Sequence, residues 1–176
     1  MDARVMSLRA DRARPGSGPL PAAFERLFLA EYARVVRIAY RVLGEQDAAE
    51  DVAQEVFLAF HRQHAADVPF APAWLHRAAA HSALNDVRSR KRRAVREAAA
   101  EAPAVPDPEM AALERERARE VRAALARLPE ASALLLALRY SGLSYAEVAA
   151  ACDIKADQVG TRLRRAQDAF RREVRQ

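Results

Sequence analysis

The side chains best placed to do chemistry are cations at helical spacing near the C-terminal end. Lys155, Thr161, Arg162, Arg164 and Arg165 fall in one stretch whose apolar positions Ile154, Val159 and Leu163 define a buried side. Guanidinium groups along the opposite side of such a helix can neutralise phosphates and fork onto base edges in a major groove. Just upstream, in Gly142-Leu-Ser144-Tyr-Ala-Glu147-Val148-Ala149, Ser144 can cap the N3 amide while Glu147 caps back. Cys152-Asp153 then supplies a tight turn, Asp153 being a tolerable residue for a left-handed conformation. The spacing predicts a helix-turn-helix; the plainer reading is a solvated hairpin with a basic face.

Two further constellations flank an earlier helix. Arg88, Arg90, Lys91, Arg92, Arg93 and Arg96 put six cations into nine residues, a density suited to phosphates. Upstream of them Phe70 and Trp74 could stack an unpaired base, or Trp74 could serve the core. Glu45, Asp47, Glu50, Asp51 and Glu55 instead form an acidic run with no Lys or Arg between Arg41 and Arg62. Such a face repels DNA and suits a basic protein partner. Helix N-terminal charge accounts for Glu45 to Asp51 but not for Gln54 and Glu55.

Catalytic chemistry finds little to work with. His61 and His64 are three apart and could join a carboxylate around a metal, but lone histidine pairs on helices are commonly surface residues. His76 and His81 stand about 140° apart on a helix and do not converge. The sequence carries no glycine-rich phosphate loop, nucleophile elbow or metalloprotease motif, so neither cofactor, metal nor enzyme activity is expected. The single cysteine, Cys152, excludes an intrachain disulfide and reads as a small core residue.

The elements that must position these groups are helical. With 176 residues, 5 glycines, 6% aromatics and abundant Ala, Leu and Arg, an all-α chain of one or two small domains is expected. Apolar steps of three and four predict a helix from Phe24 to Gly44 and a second from near Asp47 to the polar stretch Gln63 to Pro72. A third is expected from Ala73 to about Arg96, a fourth from about Met110 to Leu128 and a fifth from Glu130 to Ser141, followed by the two of the hairpin. Glu97 to Glu109, with four acids and three prolines, has linker composition. The division is a basic tail (1–23), a helical domain (24–96), a flexible acidic linker (97–117) and a helix-turn-helix domain (118–176), with net charges of +2, +3, −4 and +4. The two modules are expected to move independently on their tether. The longest apolar run, Ala133 to Leu138, is too short to span a bilayer, which predicts a cytoplasmic protein without membrane insertion.

Taken in order, Asp47-Ala-Ala-Glu50-Asp51-Val-Ala-Gln54-Glu55-Val-Phe57, Ala73-Trp74-Leu75, Arg88 to Arg93, Leu128-Pro129-Glu130, Leu143-Ser-Tyr-Ala-Glu147-Val-Ala149 and Arg162-Leu-Arg-Arg165-Ala resemble a bacterial sigma factor of the extracytoplasmic-function group. The resemblance implies a sigma region 2 over 24–96 that binds core RNA polymerase and the minus-ten element. Asp51, Gln54 and Glu55 would meet the clamp helices of the largest subunit. The loop Gln63 to Pro72 would capture a flipped base, and Phe70, Trp74, Arg77, His81, Asn85, Arg88, Arg90, Lys91 and Arg92 would contact the strand-separated DNA. It further implies a region 4 over 118–176 that meets the flap of the second subunit. There Thr161, Arg164 and Arg165 would reach minus-thirty-five base edges, with Arg162 nearer phosphate and Lys155 beside them. An anti-sigma factor is an implied partner.

The chain departs from the family pattern at Gly160, where a cation is usual, at Asp157-Gln158 and at His81 and Asn85, so the promoter sequence cannot be carried over. A stand-alone helix-turn-helix regulator would explain 118–176 but leaves the acidic helix without a purpose.

Overall fold

The computed structural model describes residues 21–97 and 109–175; the tail up to 20 and the linker core at 98–108 lie outside them. Seven helices follow in order: α1 (Ala22–Leu43), α2 (Gln46–Gln63), α3 (Ala71–Glu97), α4 (Glu109–Arg127), α5 (Glu130–Tyr140), α6 (Tyr145–Cys152) and α7 (Ala156–Val174). No strand occurs among the described residues, as the composition predicts. None of these helices is long and apolar enough to cross a membrane.

The N-terminal unit closes because α1, α2 and α3 each bury one stripe. On α1 the stripe is Val35, Ile38, Ala39 and Val42, on α2 Val52, Val56, Phe57 and Phe60, and on α3 Leu75, Ala79, Ala80, Ala83, Leu84 and Val87. The alanines of α3 occupy little volume, which lets neighbouring backbones approach closely. Aromatic edges complete the fit: Phe24 and Phe28 meet Phe57 at centroid distances of 6.2 and 4.9 Å. α1 ends at Gly44, whose φ of 74° is left-handed and whose amide donates to the Tyr40 carbonyl. A Cβ at Gly44 would also come within 2.8 Å of Arg122 Nη1, the movable end of a long side chain, so it is the conformation rather than the space that calls for glycine.

The C-terminal unit packs α5 against α6 and α7. The predicted capping box is present: Ser144 Oγ accepts from the Glu147 amide, and Glu147 Oε2 accepts from the Ser144 amide at 2.7 Å. Asp153 takes the left-handed turn at φ 53°. Cys152 ends α6 against the core, and burial raises its thiol pKa.

Three expectations need correction. The loop after α2 is shorter than Gln63 to Pro72, because Gln63 still belongs to α2 and Pro72 sits in the first turn of α3, where its missing amide costs nothing. α4 likewise begins at Glu109, inside the segment assigned to the flexible linker, 97–117. The two units also do not stand apart. α3 packs against α4, α5 and α6, and α1 against α5, so buried residues from both units belong to one continuous core. The sequence expectation of independently moving modules missed this because its contacts join residues far apart in the chain.

His76 lies on the buried stripe of α3 with 2% of its surface exposed, its Nε2 2.7 Å from Glu31 Oε2 on α1. Burial lowers the His76 pKa below the ordinary 6.5, against the raising influence of Glu31. The unfolded chain therefore binds a proton that the fold resists, and stability falls as pH drops through about 6.5. The urea midpoint is expected to be lower at pH 5.5 than at pH 7.5, and His76→Gln should flatten that slope; an unchanged slope would remove His76 as its source. Gly160, inside α7, has no positive φ, and an added Cβ would meet only Tyr145 Cε2 at 3.6 Å, an ordinary contact. Gly160→Ala should then stabilise the chain by about 1 kcal/mol through helix propensity, read as a higher melting temperature.

Candidate polymerase and nucleic-acid interfaces

Three surfaces emerge from this arrangement. The first is the outer side of α2. Its buried residues at 49, 52, 53, 56, 57 and 60 turn Asp51, Gln54 and Glu55 to solvent, all three exposed and without an ion pair to another described residue. Leu58 extends the face, 52% exposed one turn beyond Gln54. An exposed leucine beside these acids is a feature that the sequence reading missed, though its position outside the apolar stripe could have signalled it. Glu45 and Glu50 serve the fold instead: Arg90 Nη1 donates to both Glu45 oxygens at 2.9 Å, and Gln46 donates to Glu50 at 2.6 Å.

The second surface runs along α3. Phe70, Trp74, Arg77, His81, Asn85, Arg88 and Arg92 recur at steps of three and four, so the helix aligns them on one face. At its N-terminal end Phe70 is 48% exposed and edge-on to His64 at 5.3 Å, while Trp74 packs on Phe60 and His64 at 5.4 Å. Trp74 is half-buried, serving both core and surface. The buried His64 Nε2 has no hydrogen-bond partner. Its ring stands nearly perpendicular to Phe70 and Trp74, and N–H contacts to their π faces are its available compensation.

Farther along α3 the face is partly occupied. His81 Nε2 is 2.9 Å from Glu130 Oε1 and 3.2 Å from the Asn85 amide through Nδ1. Arg88 donates to the Leu128 carbonyl, and Arg90 is held by Glu45. Lys91 lines the groove between α3 and α4, and Arg92 donates to Ser89. Lys91 thus lies to one side of the aligned face, and Arg90, about 180° around the helix from that face, is turned to Glu45 instead.

The third surface is α7. Val159, Leu163 and Ala166 are buried, and at 100° per residue Thr161, Arg164 and Arg165 stand on the opposite side, with Gln158 at its edge and Arg162 on the flank nearer the core. All five are exposed, and Arg162 donates to Gln158 at 2.9 Å, which braces that flank. Lys155 is the N-cap, in extended conformation with no side-chain cap.

The histidines do not gather around a metal. His61 stacks on Phe24 at 4.7 Å, whereas His64, beyond the end of α2, turns toward Phe70 and Trp74. His76 pairs with Glu31, a partner that could have been sought for a histidine on an apolar stripe.

Known proteins share both halves. The Sigma-70 region 2 profile matches residues 27–93 and the Sigma-70, region 4 profile matches 118–167. The chain is 35% identical over 144 residues to the ECF RNA polymerase sigma factor SigE of Mycolicibacterium smegmatis, covering 78% of this chain. It spans 56% of that relative's length. Among solved structures it resembles CnrH, in complex with the cytosolic domain of CnrY, with a TM-score of 0.51 at 24% identity over 84% of each chain. It also resembles RpoE of Bartonella quintana, in complex with the anti-sigma factor NepR, with a TM-score of 0.49 at 20% identity over 86% of this chain and 96% of that one. With region 2 and region 4 matched in chain order on the units that carry the α3 and α7 surfaces, the protein belongs to the sigma-70 family, in its extracytoplasmic-function group.

Proposed function

We propose that this chain is a sigma factor that binds core RNA polymerase in the cytoplasm and directs promoter-specific initiation. The observation that carries the reading is the combination, in one chain, of an unpaired acidic face on α2 with two separate surfaces suited to DNA, on α3 and α7. A duplex-binding regulator needs only the last of these.

In this reading residues 24–96 act as region 2. Asp51, Gln54 and Glu55, with Leu58 beside them, dock on the clamp helices of the largest polymerase subunit. The α3 face takes the minus-ten element: Phe70 and Trp74 offer ring surfaces to an unpaired base, returning stacking energy lost on melting. Arg77, His81, Asn85 and Arg88 follow the separated strand, and Arg90, Lys91 and Arg92 contribute positive potential beside it. Residues 118–176 act as region 4 against the flap of the second subunit. Thr161, Arg164 and Arg165 point into the minus-thirty-five major groove, with Arg162 toward the phosphates and Lys155 at the helix start. Promoter DNA and core polymerase are the partners, and an anti-sigma factor is the proposed inhibitor. The chain supplies recognition, and bond formation belongs to the polymerase.

Run-off transcription with purified core polymerase on pooled bacterial promoter fragments tests this. Start sites that appear only with the protein are expected; failure to bind polymerase while the protein alone retains duplex DNA would favour a regulator. Asp51→Lys with Glu55→Lys should weaken polymerase binding by about tenfold or more, through like-charge apposition and loss of partners, while leaving the fold intact. Unchanged affinity would remove α2 as the docking face.

A further inference from the structure

We propose that the cavity walled by α1, α4, α5 and α7 is a binding site for a small anionic amphiphile, a single hydrocarbon chain ending in a carboxylate. The spacing within each helix builds it. On α4 Val121 and Leu125, on α5 Leu136 and Tyr140, and on α7 Gln167 and Phe170 stand three or four residues apart, so each helix presents one short stripe. With Arg41 and Val42 from the last turn of α1 these stripes enclose about 460 Å³, within the range of ligand pockets. None of the residues assigned above to polymerase or DNA lines this cavity.

Its wall is apolar. Val42, Leu125, Leu136 and Ala137 are buried, and with the half-buried Phe170 they supply a lining of aliphatic and aromatic carbon. A cavity of about 150 Å³ with such a lining takes up benzene, so about three times that volume, less its open mouth, suits a chain of about eight to ten carbons. That room holds one short chain, not the two of a membrane lipid. Three of the eight large hydrophobic side chains exposed among the described residues, Tyr40, Val121 and Tyr140, border the cavity or the shallower groove that continues from it past Val121. Such a concentration of exposed apolar surface marks a binding groove.

Its polar groups specify the charge of the head. Arg41 and Arg171 line the cavity, Arg117 and Arg122 line the adjoining groove, and no carboxylate lines either. Arg41 donates through Nε to the Tyr140 carbonyl at 3.1 Å, which leaves its two terminal nitrogens without a partner among the described residues. Gln167 donates to the Tyr140 hydroxyl at 3.1 Å, so the hydroxyl hydrogen is free for an acceptor. Arg171 is the weaker cation, because Asp168 accepts from it at 3.0 Å. A carboxylate complements a guanidinium fork and a phenol O–H together. A cationic head is repelled, and a neutral one forgoes the charge-assisted bonds.

The test titrates the full chain with octanoate by isothermal calorimetry, using octanol and octyltrimethylammonium to probe the head. One-to-one binding of octanoate is expected, with octanol about tenfold weaker and the ammonium undetectable. Val121→Trp fills the cavity from its exposed side and should abolish binding. Val174→Trp, comparably exposed on α7 but outside the lining, is the control and should bind as the parent does. Arg41→Gln with Arg171→Gln should weaken octanoate about tenfold and leave octanol unchanged, a split that a merely distorted wall would not produce. Circular dichroism checks that each variant is folded; should Val121→Trp not fold, the paired arginine substitutions carry the test. A Kd for octanoate weaker than about 1 mM, binding of many copies that Val121→Trp does not reduce, or equal affinity for octanoate and octanol would each overturn the proposal.

Discussion

The burial of α3 against α1 is the interaction on which the other features depend. Its small residues Ala79, Ala80 and Ala83 leave room for the α1 stripe, and His76 at the same depth is tolerable only because Glu31 is there to pair with it. That contact fixes the rotation of α3 about its own axis. Once Leu75, Ala79 and Leu84 face inward, Arg77, His81, Asn85 and Arg88 must face out, and which side of α3 is presented is decided by core packing rather than by the basic residues themselves. Moving the apolar stripe by one residue would turn that face by about 100°.

The same logic orders the C-terminal unit. Ser144 and Glu147 start α6, Asp153 stops it in a conformation few residues adopt without strain, and Val159 and Leu163 set the roll of α7. Hydrogen bonds from the Ser144 amide and hydroxyl hold the Glu147 carboxyl below the usual carboxylate range, with Arg34 adding to the effect. A single carboxylate thus both nucleates the first helix of the motif and anchors it to the other half of the chain.

Much of this was legible in the sequence. Helix content, the capping box, the left-handed Asp153 and the exposed acids of α2 follow from local chemistry, because each depends on residues within about one turn of one another. The relation between the units was not legible. Arg34 and Arg41 look like ordinary surface cations of an amphipathic helix, and Glu130 like a routine N-terminal acid of α5. Their partners lie 113, 99 and 49 positions away, at Glu147, Tyr140 and His81, and three of the acceptors between the units, at Leu128, Tyr140 and Ala151, are backbone carbonyls, which carry no residue signature at all. The His64 cluster was hidden for a related reason: its ring leaves α2 at the C-cap, so helical spacing with His61 gives the wrong neighbour.

Arginine can satisfy either a helix end or a phosphate, and Arg41, Arg77 and Arg88 are used here in the first way. A carbonyl at the end of a helix carries only part of a unit charge, whereas a phosphate carries a full one and, in duplex DNA, arrives with others at regular spacing. The intramolecular bond has the advantage of a tethered partner, present at high effective concentration without an ordering cost for a second molecule. Which of the two an arginine makes is a balance between proximity and charge.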